Sequence, residues 1–99
     1  MRSANKKKIH SLGESLAALL KNLGVEKKVK QYEALARWPA IVGEKVANVT
    51  TADKVEGGVL FVKVNRSAWR TELVFMRRQI LDKIATTLGR DIITDIRFF

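Results

Sequence analysis

The chain has no cysteine, one proline and one histidine in 99 residues. Without thiols there is neither a disulfide framework nor a thiolate zinc site, and His10 cannot hold a metal alone. No apolar run approaches the roughly 18 residues that span a bilayer, and the N-terminal run LAALL is bracketed by Glu14 and Lys21. A reducing, cytoplasmic setting is expected, with no membrane contact. Catalytic patterns are absent too: the ten carboxylates offer no apolar-flanked pair whose pKa values would split, and there is no nucleophile elbow and no Walker loop. The expectation is a non-enzymatic protein with no cofactor, no metal and no small-molecule substrate.

What is present in excess is positive charge, +9 net with a pI near 10.3, on a chain that is 46% apolar and 29% charged. That balance belongs to a globular domain rather than a disordered one, and the length suits a single small core. Residues 1–10 carry +4, residues 25–38 carry +2 and residues 66–90 carry +4, while the central segment is neutral. Charge clustered in this way attracts a polyanion through counterion release, although it also serves solubility alone.

Residues 1–10, MRSANKKKIH, read as a flexible basic arm, and residues 11–99 as the domain. Ser11 and Glu14 form a capping-box pattern ahead of Leu12, Leu16, Leu19, Leu20 and Leu23, with Gly24 as terminator. Val25, Val29, Tyr32 and Ala36 make a second helical stripe and place Lys27, Lys30 and Arg37 on the opposite, outward side. Trp38-Pro39 ends or kinks that helix; WPAIVG is too apolar for an exposed loop, and AIVGEKVANV suggests a short helical turn. Thr50 to Glu56, the turn Gly57-Gly58, and VLFVKVN then predict a hairpin. Its second strand sends Leu60, Val62 and Val64 to one face and Val59, Phe61, Lys63 and Asn65 to the other. A helix from about Ser67 to Leu88 carries Trp69, Leu73, Met76, Ile80 and Ile84 in one stripe and ends at Gly89. Asp91 to Phe99 closes as a strand.

The candidate nucleic-acid contacts follow from these elements. Lys6, Lys7 and Lys8 bind phosphate without needing a fold. Lys27, Lys30 and Arg37 lie on the second helix. Arg66, Arg70 and Arg77 fall within about 40° of one another on the wheel of the long helix, and Arg78 lies close to Phe75. Phe75, opposite the core stripe, and Phe61, on the mixed strand face beside Lys63, are candidates for base stacking or partner contact. Each of these positions has a plainer reading as a solvated face or an edge of the core. Trp38 and Trp69 are expected to be structural, one pinning the kink before Pro39 and the other the strand-to-helix corner.

W-P-x-I-V-G at 38–43, L-x-V-x-V at 60–64, S-A-W-x-x-E-L at 67–73, Leu88-Gly89 and I-x-x-I-R-F at 93–98 together resemble the DciA family, over about residues 11–99. Trp38, Pro39, Gly43 and Trp69 form the signature. The resemblance implies an α+β, KH-like fold of order α-α-β-β-α-β, with a three-stranded sheet covered by helices on one face. It also implies a bacterial, nucleoid-associated factor of DNA replication that binds single-stranded or forked DNA and recruits or loads the replicative DnaB-type helicase. The G-x-x-G loop by which KH domains clamp nucleic acid is absent, so that binding mode is not carried over, and the lack of cysteine excludes a zinc ribbon. An RNA-binding KH-like module, ribosome- or RNA-associated, is the alternative; an adaptor for an acidic protein surface is a third reading.

Overall fold

The computed structural model describes residues 24–99 together with Ser15, Leu16, Ala18 and Leu19, which are helical and exposed. The basic arm and the rest of the first expected helix lie outside the described residues. Strands β1 (Thr50–Glu56) and β2 (Val59–Val64) pair antiparallel around Gly57-Gly58, both of which take positive φ, as the tight turn requires. The sheet order is β1-β2-β3, with β3 (Asp95–Phe98) parallel to β2. The chain travels between these parallel neighbours through a short 3-10 turn, Ser67–Trp69, and a 19-residue helix. The helices that precede the sheet are α1 (Val25–Ala36), α2 (Trp38–Val42) and α3 (Glu44–Ala47), so the long crossover helix is α4 (Arg70–Leu88).

The expected α+β arrangement is present. Leu60, Val62, Val64 and Ile96 are buried on the inner face of the sheet against Leu73, Ile80, Ile84 and Leu88 of α4. Trp69 and Met76 are half-buried beside them. WPAIVG is helical rather than an exposed loop: Trp38, Ile41 and Val42 are buried while Pro39, Ala40 and Gly43 are exposed, with Pro39 in the first turn of α2, where its missing N–H is harmless. The Trp38 indole donates from Nε1 to Thr50 Oγ1 at 3.0 Å, and that hydroxyl in turn donates to the Val46 carbonyl at 2.7 Å. One buried threonine thus fastens α2 and α3 to the start of β1, and it satisfies an indole N–H that burial would otherwise strand.

Three details depart from the sequence pattern. The stripe Val25, Val29 and Tyr32 of α1 is exposed, Tyr32 at 71%, while Ala34 is fully buried and Lys30, Gln31 and Leu35 are half-buried. α1 therefore presents to the body the side on which Lys27 and Lys30 lie, not the apolar one. Contact is made by its last two turns through Ala34 and Leu35, and by the Gln31 side chain, which donates to the Ile92 carbonyl at 3.1 Å. The long helix starts later than expected, because Ser67–Trp69 is a 3-10 turn closed by Trp69 N–H to the Arg66 carbonyl at 3.0 Å. The closing strand is also shorter: Asp91 adopts φ 65°, and Ile92 and Ile93 reach the core from a loop before pairing begins at Asp95.

Two stability predictions follow. Thr50→Val leaves the buried Trp38 N–H without an acceptor and is expected to cost about 1–3 kcal/mol, read as a lower urea midpoint at unchanged slope. Trp38→Phe should cost less in that background than in the wild type, which a double-mutant cycle measures. At the hairpin, a Cβ on Gly58 would meet Thr94 Oγ1 at 2.9 Å, whereas one on Gly57 meets nothing within 4 Å. Both alanine substitutions incur the left-handed penalty of about 1–2 kcal/mol, so Gly58→Ala should be the worse of the two, and Thr94→Ala should narrow the gap.

Candidate nucleic-acid interface

Lys27 is exposed as expected, whereas Lys30 is half-buried. They line a cavity of about 320 Å³ between the start of α1 and the loop after α4, where Arg90 joins them along with Glu26 and Asp91. Lys30 Nζ stands 4.0 Å from the position of a Cβ on Gly89, the residue that caps α4. A cation is favoured there by the carbonyl end of the helix, which gives Lys30 a structural reason for its inward course. The wheel did not single out Arg90; it enters because the Gln31 hydrogen bond to Ile92 draws its loop against α1.

The remaining arginines are spread from just before α4 to its middle. Arg66 has extended backbone (φ −129°, ψ 116°), so it precedes the helical path and shares no wheel with Arg70 and Arg77. Arg66 and Arg70 are exposed. Arg77 pairs with Asp95 of β3 at 3.5 Å, and Arg78 with Asp82 one turn along at 3.8 Å. Arg37 is exposed at the junction of α1 and α2, where its N–H donates to the Glu33 carbonyl at 2.8 Å. Since α4 is roughly 27 Å long, Arg70 at its first residue is far from the Lys27–Lys30–Arg90 group beyond its last turn.

The aromatic candidates differ in setting. Phe75 projects from α4 at 83% exposure, opposite the buried stripe, as its position implied. Phe61 is half-buried on β2, with Lys54 Nζ 5.3 Å from the ring centroid. Lys54 was not legible as its neighbour, because the ladder shifts between Ala52 and Lys54. Of the signature residues, Trp38 is core, Trp69 packs against it, the Pro39 carbonyl accepts the Gly43 N–H at 2.9 Å, and Gly43 takes φ 86° between α2 and α3. Among the described residues, no three His, Asp or Glu side chains gather in a way that could hold a metal, and no helix is long and apolar enough to cross a membrane.

This chain is 35% identical to a UPF0232 protein of Corynebacterium glutamicum strain R over 89 residues, which are 90% of this chain and 50% of that protein. It is 33% identical to UPF0232 proteins of Mycolicibacterium smegmatis and Mycobacterium tuberculosis over 86 residues, 87% of this chain and 44% and 46% of theirs. The chain therefore spans about half the length of the curated relatives it matches. The sequence profile of the family described as "Dna[CI] antecedent, DciA" covers residues 11–98. With nearly the whole chain inside that match and its tryptophans anchoring the observed fold, the protein belongs to the DciA family.

Proposed function

We propose that this domain holds single-stranded or forked DNA through its phosphates and recruits or loads the replicative DnaB-type helicase during DNA replication. The observation that carries this reading is the family match over residues 11–98. Charge supports the nucleic-acid half: residues 24–99 carry +5 net, and the three ion pairs among the described residues are exposed contacts of 3.5–3.8 Å. Pairs of that kind contribute little, so phosphates can compete for their cations. The proposed role is non-enzymatic, in the cytoplasm at the nucleoid. With no Walker loop in these 99 residues, the domain biases the helicase only through unequal affinity for open and closed ring states.

If four to six phosphates are held, the plot of log K against log salt has a slope of roughly −3 to −4 on single strands. Replacing Lys6, Lys7 and Lys8 with alanine should weaken oligonucleotide binding equally across sequences; a sequence-selective loss would contradict the role given to the arm. Co-purification with the host's replicative helicase, with and without single-stranded DNA, tests the partner, and recovery should rise when DNA is present. Preference for structured RNA over forked DNA, with no helicase recovered, would establish the RNA-binding alternative instead. Salt-sensitive protein association without nucleic-acid retention would point to an adaptor.

A further inference from the structure

The face of the sheet turned away from the helices carries a chemistry that the linear sequence conceals. Leu60, Val62, Val64 and Ile96 are buried inward, so strand alternation sends Phe61, Lys63 and Arg97 to the other side. The ladders place Lys54 and Arg97 on either side of Phe61. In an unbroken register the residue opposite Phe61 would be Asp53, since Thr51 faces Lys63 and Ala52 faces Val62. The irregularity after Ala52 puts Lys54 there instead and turns Val55 inward to the core. The bulge thus exchanges an aspartate for a lysine over the only ring of the central strand.

Asp53, exposed at the bulge, has no partner in the ladder, and the charges that do pair with β2 are sorted along it. Glu56 and Asp95 both flank Val59, at one end, and each already meets a cation: Glu56 meets Lys54 at 3.6 Å and Asp95 meets Arg77 at 3.5 Å. Past that row come Lys54, Phe61 and Arg97, then Lys63 beside Phe99, which is 47% exposed and joins the ladder through the Val64 N–H at 2.7 Å. Two phenylalanines interleaved with three cations from three strands, on the face opposite the core that Leu73, Ile80 and Ile84 of α4 share with the sheet, match what a single strand needs: ring faces for bases and ammonium or guanidinium groups for the phosphates between them. An exposed cation–π contact is weaker than base stacking on the same ring. An incoming base can therefore displace Lys54, whose ammonium then meets a phosphate.

We propose that this outer face of the sheet is a platform for single-stranded DNA, in which Phe61 stacks on a base while Lys54, Lys63 and Arg97 hold the flanking phosphates. It rests on the DNA-binding reading above and adds to it a site distinct from the helical cations. The test uses the full chain with two probes, oligo-dT and an abasic deoxyribose-phosphate strand of equal length and charge. Wild type should prefer oligo-dT by about ten-fold, Phe61→Leu should abolish that preference, and Phe61→Tyr should restore it. Lys63→Ala with Arg97→Ala, both exposed and safe for folding, should weaken both probes and reduce the magnitude of the salt slope by about 1–2. Lys27→Ala with Lys30→Ala should leave the preference for bases intact. If wild type binds oligo-dT but Phe61→Leu keeps the preference and the Lys63/Arg97 variant keeps the slope, the platform is wrong while DNA binding stands. If wild type retains neither probe at low salt, both readings fall. If these variants lose only helicase recovery, the face is a protein contact and the platform is overturned.

Discussion

Parallel pairing of β3 with β2 is the constraint on which the molecule turns. Antiparallel neighbours can be joined by two residues, as β1 and β2 are through Gly57-Gly58, but parallel neighbours need a connection that returns along the sheet. Here that connection is Ser67–Trp69, α4 and the loop to Thr94. Once α4 lies along the sheet, the inner face of β2 must be apolar through Leu60, Val62 and Val64, and α4 must carry its own stripe to meet them. The same requirement leaves the opposite face to residues of mixed character. Among the described residues the fold therefore creates an apolar inner face and an outer face of mixed character before any functional residue is chosen.

The helical prelude is held to that framework by a buried polar contact. Trp38 brings bulk to the core, yet an indole N–H in a dry interior needs an acceptor. Thr50 supplies it and passes its own proton to Val46. Because the donor sits on α2, the relay on β1 and the final acceptor on α3, one hydrogen-bonded chain fixes three elements that burial alone would leave free to slide. This explains why a tryptophan immediately before the proline suits the site better than an aliphatic residue of similar reach.

Much of this was readable in advance, and the unreadable parts share a cause. Paired glycines, alternation in VLFVKV, the stripe from Trp69 to Ile84 and the cap at Gly89 are local signals, each set by a few neighbouring residues. The buried side of α1 was misread because helical periodicity marks where apolar residues fall, not which face has something to pack on; a small domain leaves many apolar atoms outside. Val25, Val29 and Tyr32 stay exposed, while Ala34 and the polar Gln31 meet the body. Arg66 left the expected group because a 3-10 turn breaks the wheel at Trp69. The company of Phe61 was hidden twice over: Lys54 reaches it only through a bulge, and Arg97 only through a parallel partner 36 residues away. Alternation in I-R-F could have aimed Arg97 outward, but not toward Phe61.

On the proposed reading, the two-sided construction bears on how such a domain could link DNA to a helicase. Coupling requires that both ligands be held at once and that each alter the affinity for the other. If the strand occupied the helical layer, it would compete with a protein partner for the exposed apolar side chains there: Val29, Tyr32 and Phe75 all project from α1 or α4. A strand on the outer sheet face leaves them accessible. Communication between the two sides then runs through β2, whose alternate residues belong to the platform and to the core beneath α4. Close packing makes such a shared strand transmit a shift in its register or twist to the helix it supports, which on the proposed reading is how helicase affinity comes to depend on DNA.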